Sequence, residues 1–161
     1  MSRIIILIIM LSLFGCGENK KQNNQEIPEI TIGIGKYYKD KSPYIIKFPN
    51  KLPKSKLRQK MPNLVTILWK YDGKENNGLP NGETNEKMLL LEKEPKDNEL
   101  FFHAYSRTGN NLKEIVYYCS NKNDFKEMIN DDLNKYPVEI SFTEDANWGK
   151  LNETIRMFNK N

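Results

Sequence analysis

Three features of the sequence predict an α+β fold built on an antiparallel sheet. Residues 64–71, 100–108, 112–119 and 138–142 are short runs rich in β-branched and aromatic residues, the composition of strands. Residues 83–94 and 122–135 place apolar side chains at helical spacing. The strand–helix–strand–strand–helix–strand order then fits one domain, which is what 161 residues can hold.

The elements follow in chain order. Ile30, Ile32 and Ile34 alternate with small or polar residues, and residues 44–48 form a second β-like run. The polar stretch 36–43 joins the two as a hairpin connection. Residues 51–62 carry Lys51, Lys54, Lys56, Arg58 and Lys60 without an acid, and Pro53 and Pro62 argue against a long regular element. The run 64–71 is apolar on both faces early on, as a central strand should be. Asn76, Asn77, Gly78, Pro80, Asn81 and Gly82 are dense turn chemistry. The helix that follows turns Met88, Leu89 and Leu91 inward and stops at Pro95.

The strands 100–108 and 112–119 flank Gly109, Asn110 and Asn111, the signal of a tight hairpin. Asn121 caps the second helix, whose stripe is Phe125, Met128, Ile129, Asp132, Leu133 and Tyr136. Val138, Ile140 and Phe142 alternate with polar residues in a strand with one wet face. A last helix from about residue 146 presents Trp148, Leu151, Ile155 and Phe158, with Asp145 near its start. Right-handed crossovers turn the βαββαβ order into a ferredoxin-like four-stranded sheet with both helices on one face. The N-terminal hairpin and the C-terminal helix extend or cover it.

Ahead of this domain, Arg3 and the apolar run 4–14 have the form of an export signal. The run is shorter than the roughly 20 residues a membrane-crossing helix needs. It ends in Leu13, Phe14, Gly15 and Cys16, which resembles a bacterial lipobox, although Phe14 is bulkier than usual there. That resemblance implies cleavage before Cys16 and diacylation of its thiol, hence a protein exported and held at the bacterial cell membrane or outer membrane. Residues 1–15 are then the signal peptide, 16–28 the lipidated cysteine and tether, and 29–161 the domain. Losing Arg3 lowers the formal net charge from +4 to +3. Residues 17–25 have no apolar side chain and make a leash of about 15–20 Å r.m.s. span.

Composition narrows the chemistry. With 29% charged and 38% hydrophobic residues and a mean hydropathy of −0.71, the chain is no multi-span membrane protein. A single histidine rules out a multi-His metal site, and with Cys16 lipidated Cys119 has no intramolecular disulfide partner. His103 and Cys119 on paired strands are the one thiol–imidazole candidate. The sequence supplies no evident oxyanion site beside them, and a buried structural cysteine is the commoner outcome. Glu83, Glu86, Glu92 and Glu94 on the first helix, with Asp124, Glu127, Asp131 and Asp132 on the second, read as solvated faces rather than a convergent pair of catalytic acids. Phe101, Tyr105, Tyr117, Tyr118 and Trp69 could stack bases on a sheet, but 112–118 lacks the glycine and aromatic positions of that motif, so these rings read as core. The basic stretch 51–60 reads as a solvated linker, with contact to anionic envelope polymers or headgroups as its functional alternative.

The strand ending Trp69, Lys70 and Tyr71, the string Asn77, Gly78, Leu79 and Pro80, the turn Thr108, Gly109 and Asn110 with Glu114, and Phe125 share order with residues 136–140, Asp145 and Trp148. In that order and spacing the chain resembles the bacterial family catalogued as domain of unknown function 695, from about residue 29 to residue 158. It departs at Asn111, Leu112 and Lys113, where a small residue followed by basic ones is expected. The resemblance supports the fold and assigns no activity. Trp69, Asn77, Gly78, Pro80, Thr108, Gly109, Asn110 and Trp148 are its candidate binding positions. The expectation is a lipid-anchored envelope module that binds rather than catalyses, with no cofactor, metal or nucleic acid and with an envelope protein as candidate partner. A hydrolase or thiol enzyme, and a regulator or inhibitor of an enzyme, are the alternatives. Two acyl chains hold a protein on a membrane where one gives only marginal binding. Cys16→Ala is therefore expected to move the protein from the detergent phase to the aqueous phase in phase partitioning, and partition like wild type would remove the anchor from the reading.

Overall fold

The computed structural model describes residues 30–93, 100–133 and 136–159. The predicted signal, Cys16 and the tether lie outside the described residues. The elements are β1 (Ile32–Lys39), β2 (Ser42–Pro49), α1 (Ser55–Lys60), β3 (Asn63–Lys70), α2 (Gly82–Lys93), β4 (Phe101–Gly109), β5 (Leu112–Cys119), α3 (Lys122–Leu133), β6 (Val138–Glu144) and α4 (Gly149–Phe158), with one 3-10 turn at Lys74–Asn76. The fold is α+β, and its strands pair antiparallel in one six-stranded sheet of order β1-β2-β4-β5-β3-β6.

The four expected strands share the sheet with the N-terminal hairpin, which takes the extending of its two expected placements. Tyr44 to Lys47 of β2 pair with Gly109 to Ser106 of β4, so the N-terminal hairpin extends the sheet. Its connection is also tighter than the 36–43 stretch suggests, because Asp40 and Lys41 take φ values of 50° and 65° in a two-residue turn. The rings of Tyr37 and Tyr44 stack beside that turn at 5.0 Å.

Alternation along the strands divides the interior in two. Val65, Ile67, Trp69, Ile115, Tyr117 and Cys119 face α2 and α3, meeting Met88, Phe125 and Ile129. Ile46, Phe48, Leu64, Val116 and Tyr118 face the other way, toward Met61 and toward Trp148, Leu151 and Ile155 at α4. An irregularity in the β4–β5 register between His103 and Tyr105 lets Ala104 and Tyr105 join the second cluster together. Phe101, Tyr105, Tyr117, Tyr118 and Trp69 are all buried, so none of these rings forms an open stacking surface.

α4 begins at residue 149 rather than near 146, because Trp148 adopts the left-handed conformation (φ 56°). That turn drops its indole onto Tyr118, stacked at 3.8 Å, and lets the indole N–H donate to the Met61 carbonyl at 3.0 Å. Asp145 caps the helix, accepting the Gly149 and Lys150 amides at 2.9 and 3.0 Å and the Tyr118 hydroxyl at 2.7 Å. Burial pushes the Asp145 carboxyl up, but these donors and the Lys150 charge outweigh it and hold the group below its ordinary value.

Two outcomes follow. Trp148→Ala removes a fully buried ring and two carbonyl partners, and should destabilise the fold by about 3–5 kcal/mol in denaturant melts. A depressed carboxyl contributes stability above its unfolded pKa and loses it as pH falls through the folded value. The stability difference between wild type and Asp145→Asn should therefore be full at neutral pH and shrink below about pH 4. A pH-independent difference would remove Asp145 ionisation from the account.

Candidate functional site

The loop after β3 and the β4–β5 turn are joined by backbone. Tyr71 N–H donates to the Asn111 carbonyl at 3.0 Å, and the Asn111 N–H donates to the Gly78 carbonyl at 2.9 Å. The Tyr71 hydroxyl reaches the same Gly78 carbonyl at 2.9 Å, and the Gly73 N–H donates to Asn111 Oδ1 at 2.9 Å. Burial raises the Tyr71 phenol to about 12 in spite of lowering contacts from the Gly109 and Leu112 backbone, so it stays a donor at neutral pH.

Glycine is needed at three points of this junction, among them Gly73, where a Cβ would lie 2.6 Å from the Leu79 carbonyl oxygen. Gly78 has φ 83°, and a Cβ there would lie 3.1 Å from the Asn110 backbone. A Cβ on Gly109 would come within 2.4 Å of the Pro43 carbonyl oxygen. Asn77, Asn110 and Asn111 supply further positive-φ corners. Asn111, the departure from the expected family pattern, is thus a working part of the junction.

This junction delivers the chain to α2, where Asn81 Oδ1 accepts the Thr84 amide at 2.8 Å as an N-terminal cap. Between the start of α2 and the sheet lies a cleft of about 390 Å³. Ile45, Leu79, Pro80 and Leu89 give it apolar walls, Asn81, Asn85 and Thr108 give it neutral polar groups, and Lys47 and Lys113 also line it.

The two lysines converge on one acid. Asn85, Leu89 and Glu92 share one side of α2 at helical spacing, and Glu92 ion-pairs with Lys113 and, at 3.2 Å, with Lys47. The Lys113 and Glu92 side chains are only 4% and 7% exposed, whereas Lys47 is 35% exposed. Burial pushes the Glu92 carboxyl up, yet the two ammonium groups reverse this and hold it below its ordinary value. For Lys113 burial prevails over the pull of Glu92 and the ammonium group sits below the ordinary lysine value. The group as a whole carries one excess positive charge. Charged and aligned on α2, Glu92 contradicts the reading of the first helix's acids as a wholly solvated face.

The sequence-named positions are placed unevenly. Asn77, Gly78, Pro80, Thr108, Gly109 and Asn110 come together, with Pro80 and Thr108 on the cleft itself. Trp69 lies in the α2/α3 core, 4.8 Å from Tyr136, and Trp148 lies on the opposite face of the sheet. His103 packs on Tyr117 at 5.1 Å. Cys119 is buried, and burial pushes its thiol to about 11, far from the thiolate a nucleophile needs at neutral pH. Among the described residues there is no group of three or more His, Cys, Asp or Glu placed to hold a metal ion, and no helix long and apolar enough to cross a membrane.

Sequence reasoning missed Lys47, Glu92 and Lys113 as a group. Each carried a signal: Glu92 follows Met88 by one helical turn, and Lys47 and Lys113 occupy alternating positions in strands rich in apolar residues.

An α+β fold with a capped helix over a cationic cleft is the class these observations define. A family model for the Family of unknown function (DUF695) matches residues 38–154, and the chain belongs to that family. Neither a curated protein nor a solved structure matches it significantly.

Removing Glu92 leaves Lys113 buried without its counter-charge. Glu92→Ala should cost about 3–5 kcal/mol in chemical denaturation, and Glu92→Leu combined with Lys113→Met should recover most of the loss. Additive losses in the double variant would show that the residues do not act as a pair.

Proposed function

We propose that this protein is a lipid-anchored envelope protein whose domain is a non-catalytic binding module, with the cleft beneath α2 as its binding surface. The observation that carries the reading is the cleft itself. Two residues from separate family-like strings, Pro80 and Thr108, line it, and two lysines that share one acid lie along it with one formal positive charge in excess. Concave sites with apolar walls and a few placed polar groups are where proteins take ligands. The buried thiol of Cys119 weighs against the thiol-enzyme alternative. Anchoring at Cys16 would hold the domain near the membrane on the leash that precedes β1.

On the same footing we read β3, α2, β4, β5, α3 and β6 as a ferredoxin-like unit. In support, these four strands lie in the order β4-β5-β3-β6, and α2 and α3 pack on one face of them. The β1–β2 hairpin is then an added edge and α1 and α4 a second layer.

Crosslinking with mass spectrometry in intact cells tests the binding reading, using wild type, Cys16→Ala and Asn85→Trp. Asn85 is exposed at the cleft wall, so the larger ring obstructs the cleft without touching the buried charges. One envelope protein should be recovered with wild type and lost with both variants. Equal recovery with Asn85→Trp would remove the cleft as the surface. Cytosolic RNA-processing proteins recovered irrespective of Cys16 would remove the anchored reading altogether.

A further inference from the structure

The charges beside the cleft say more about its occupant than its shape does. Lys47, Lys113 and Glu92 sum to one positive charge, and α2 adds the partial positive charge of its N-terminus at the wall through Asn81 and Gly82. Glu83, the acid of that first turn, is turned to Lys87 at 2.6 Å and does not line the cleft. A single negative charge brought in from outside would neutralise the group. A dianion would leave excess negative charge in a half-desolvated site, which is costly.

The other charged group inside the sheet provides a contrast. On the α4 face Arg107 pairs with Glu114 at 2.5 Å, and the Tyr105 hydroxyl donates to Glu114 Oε1 at 3.2 Å. One cation there pairs with one anion, and Lys39 lines the same small cavity of about 120 Å³. The α2-side group differs in that two lysines share one acid directly, and it opens on a larger cleft.

Glu92 also displays the chemistry that suits the lysines, because one carboxylate already bridges both of them. Each ammonium group has three N–H donors, so a second carboxylate can be received beside the first. Leu79, Pro80, Leu89 and Ile45 offer apolar surface next to that position. We infer that the cleft binds a monocarboxylate carrying a compact apolar body, either the C-terminal residue of a peptide or a free organic acid. The inference rests on the cleft being the binding surface, and it adds the ligand's charge and shape.

Titration of the full-length protein in detergent micelles, followed by amide NMR shifts, tests it with N-acetyl-leucine, N-acetyl-leucinamide, hexanoate and inorganic phosphate. N-acetyl-leucine should give saturable shifts at Asn85, Leu89, Thr108 and Lys113, and the uncharged leucinamide should bind at least about tenfold more weakly. Lys47→Met leaves the Glu92–Lys113 pair intact and neutral, so it should keep the dispersed spectrum of the fold while weakening N-acetyl-leucine by about tenfold or more. Tighter binding of N-acetyl-leucine than of hexanoate assigns a peptide terminus; the reverse assigns a free organic acid. Absence of saturable shifts, equal binding of the amide, or phosphate shifting the same residues as strongly would overturn the monocarboxylate assignment. If no carboxylate binds but Asn85→Trp still loses the envelope protein, the ligand class fails and the cleft stands. If carboxylate binds and that protein is retained by Asn85→Trp, the partner surface lies elsewhere and the ligand class stands.

Discussion

A lysine in the middle of a sheet is the constraint that organises the α2 side of this domain. Lys113 lies on β5, with β4 on one side and β3 on the other, and α2 covers it. An isolated ammonium group in that position would cost several kcal/mol. Glu92 removes the problem by pairing with it, and the charges of Lys113 and, less strongly, of Lys47 on β2 hold the Glu92 carboxyl below its ordinary value. The triad therefore ties the added hairpin, the sheet centre and α2 together through charge. It also fixes α2 along its axis, since Met88 one turn earlier is fully buried in the apolar core. The cleft remains where the first turns of α2 pass over Ile45 and Thr108.

That arrangement needs the chain to arrive at α2 in one place, which is the work of the loop–turn junction. Gly78 offers its carbonyl to both Tyr71 and Asn111, so one oxygen joins the end of β3 to the β4–β5 turn. Asn111 answers with its side-chain oxygen on Gly73. Gly73, the buried member, would otherwise leave its N–H in want of a partner. The local chemistry thus places Leu79, Pro80 and Asn81 at the wall of the cleft without a long element to support them.

Most of the element order was legible because it depends on local pattern. The 112–119 strand, the capped helix after Asn121 and the tight turn at Asn110 and Asn111 each follow from residues within a few positions. What was not legible depends on distant partners. The left-handed turn at Trp148 is stabilised by Tyr118 and Met61, and α4 begins later for that reason. The shift in β4 register after His103, which sends Ala104 and Tyr105 to the same cluster, has no signature in the alternation of 100–108. For the candidate site, the strings containing Asn77 to Pro80 and Thr108 to Asn110 meet at one corner of the fold, beside the cleft. Its charged group did not stand out, because Glu92 was one acid among several on a helix and lysine is abundant throughout the chain.

The two faces of the sheet solve the same physical problem differently, and the difference bears on function. On the α4 face, Arg107 and Glu114 cancel, while Tyr118, Trp148 and Asp145 fasten the helix with stacking and capping. A smaller cleft of about 240 Å³ lies beside Arg107 on that face. On the α2 face, two lysines share one acid beside a cleft of about 390 Å³. A balanced pair would have served burial equally well, since replacing one lysine by an apolar residue removes a desolvation cost. The second cation ties β2 to α2 through Glu92, and it leaves the group with more positive than negative charge beside the cleft.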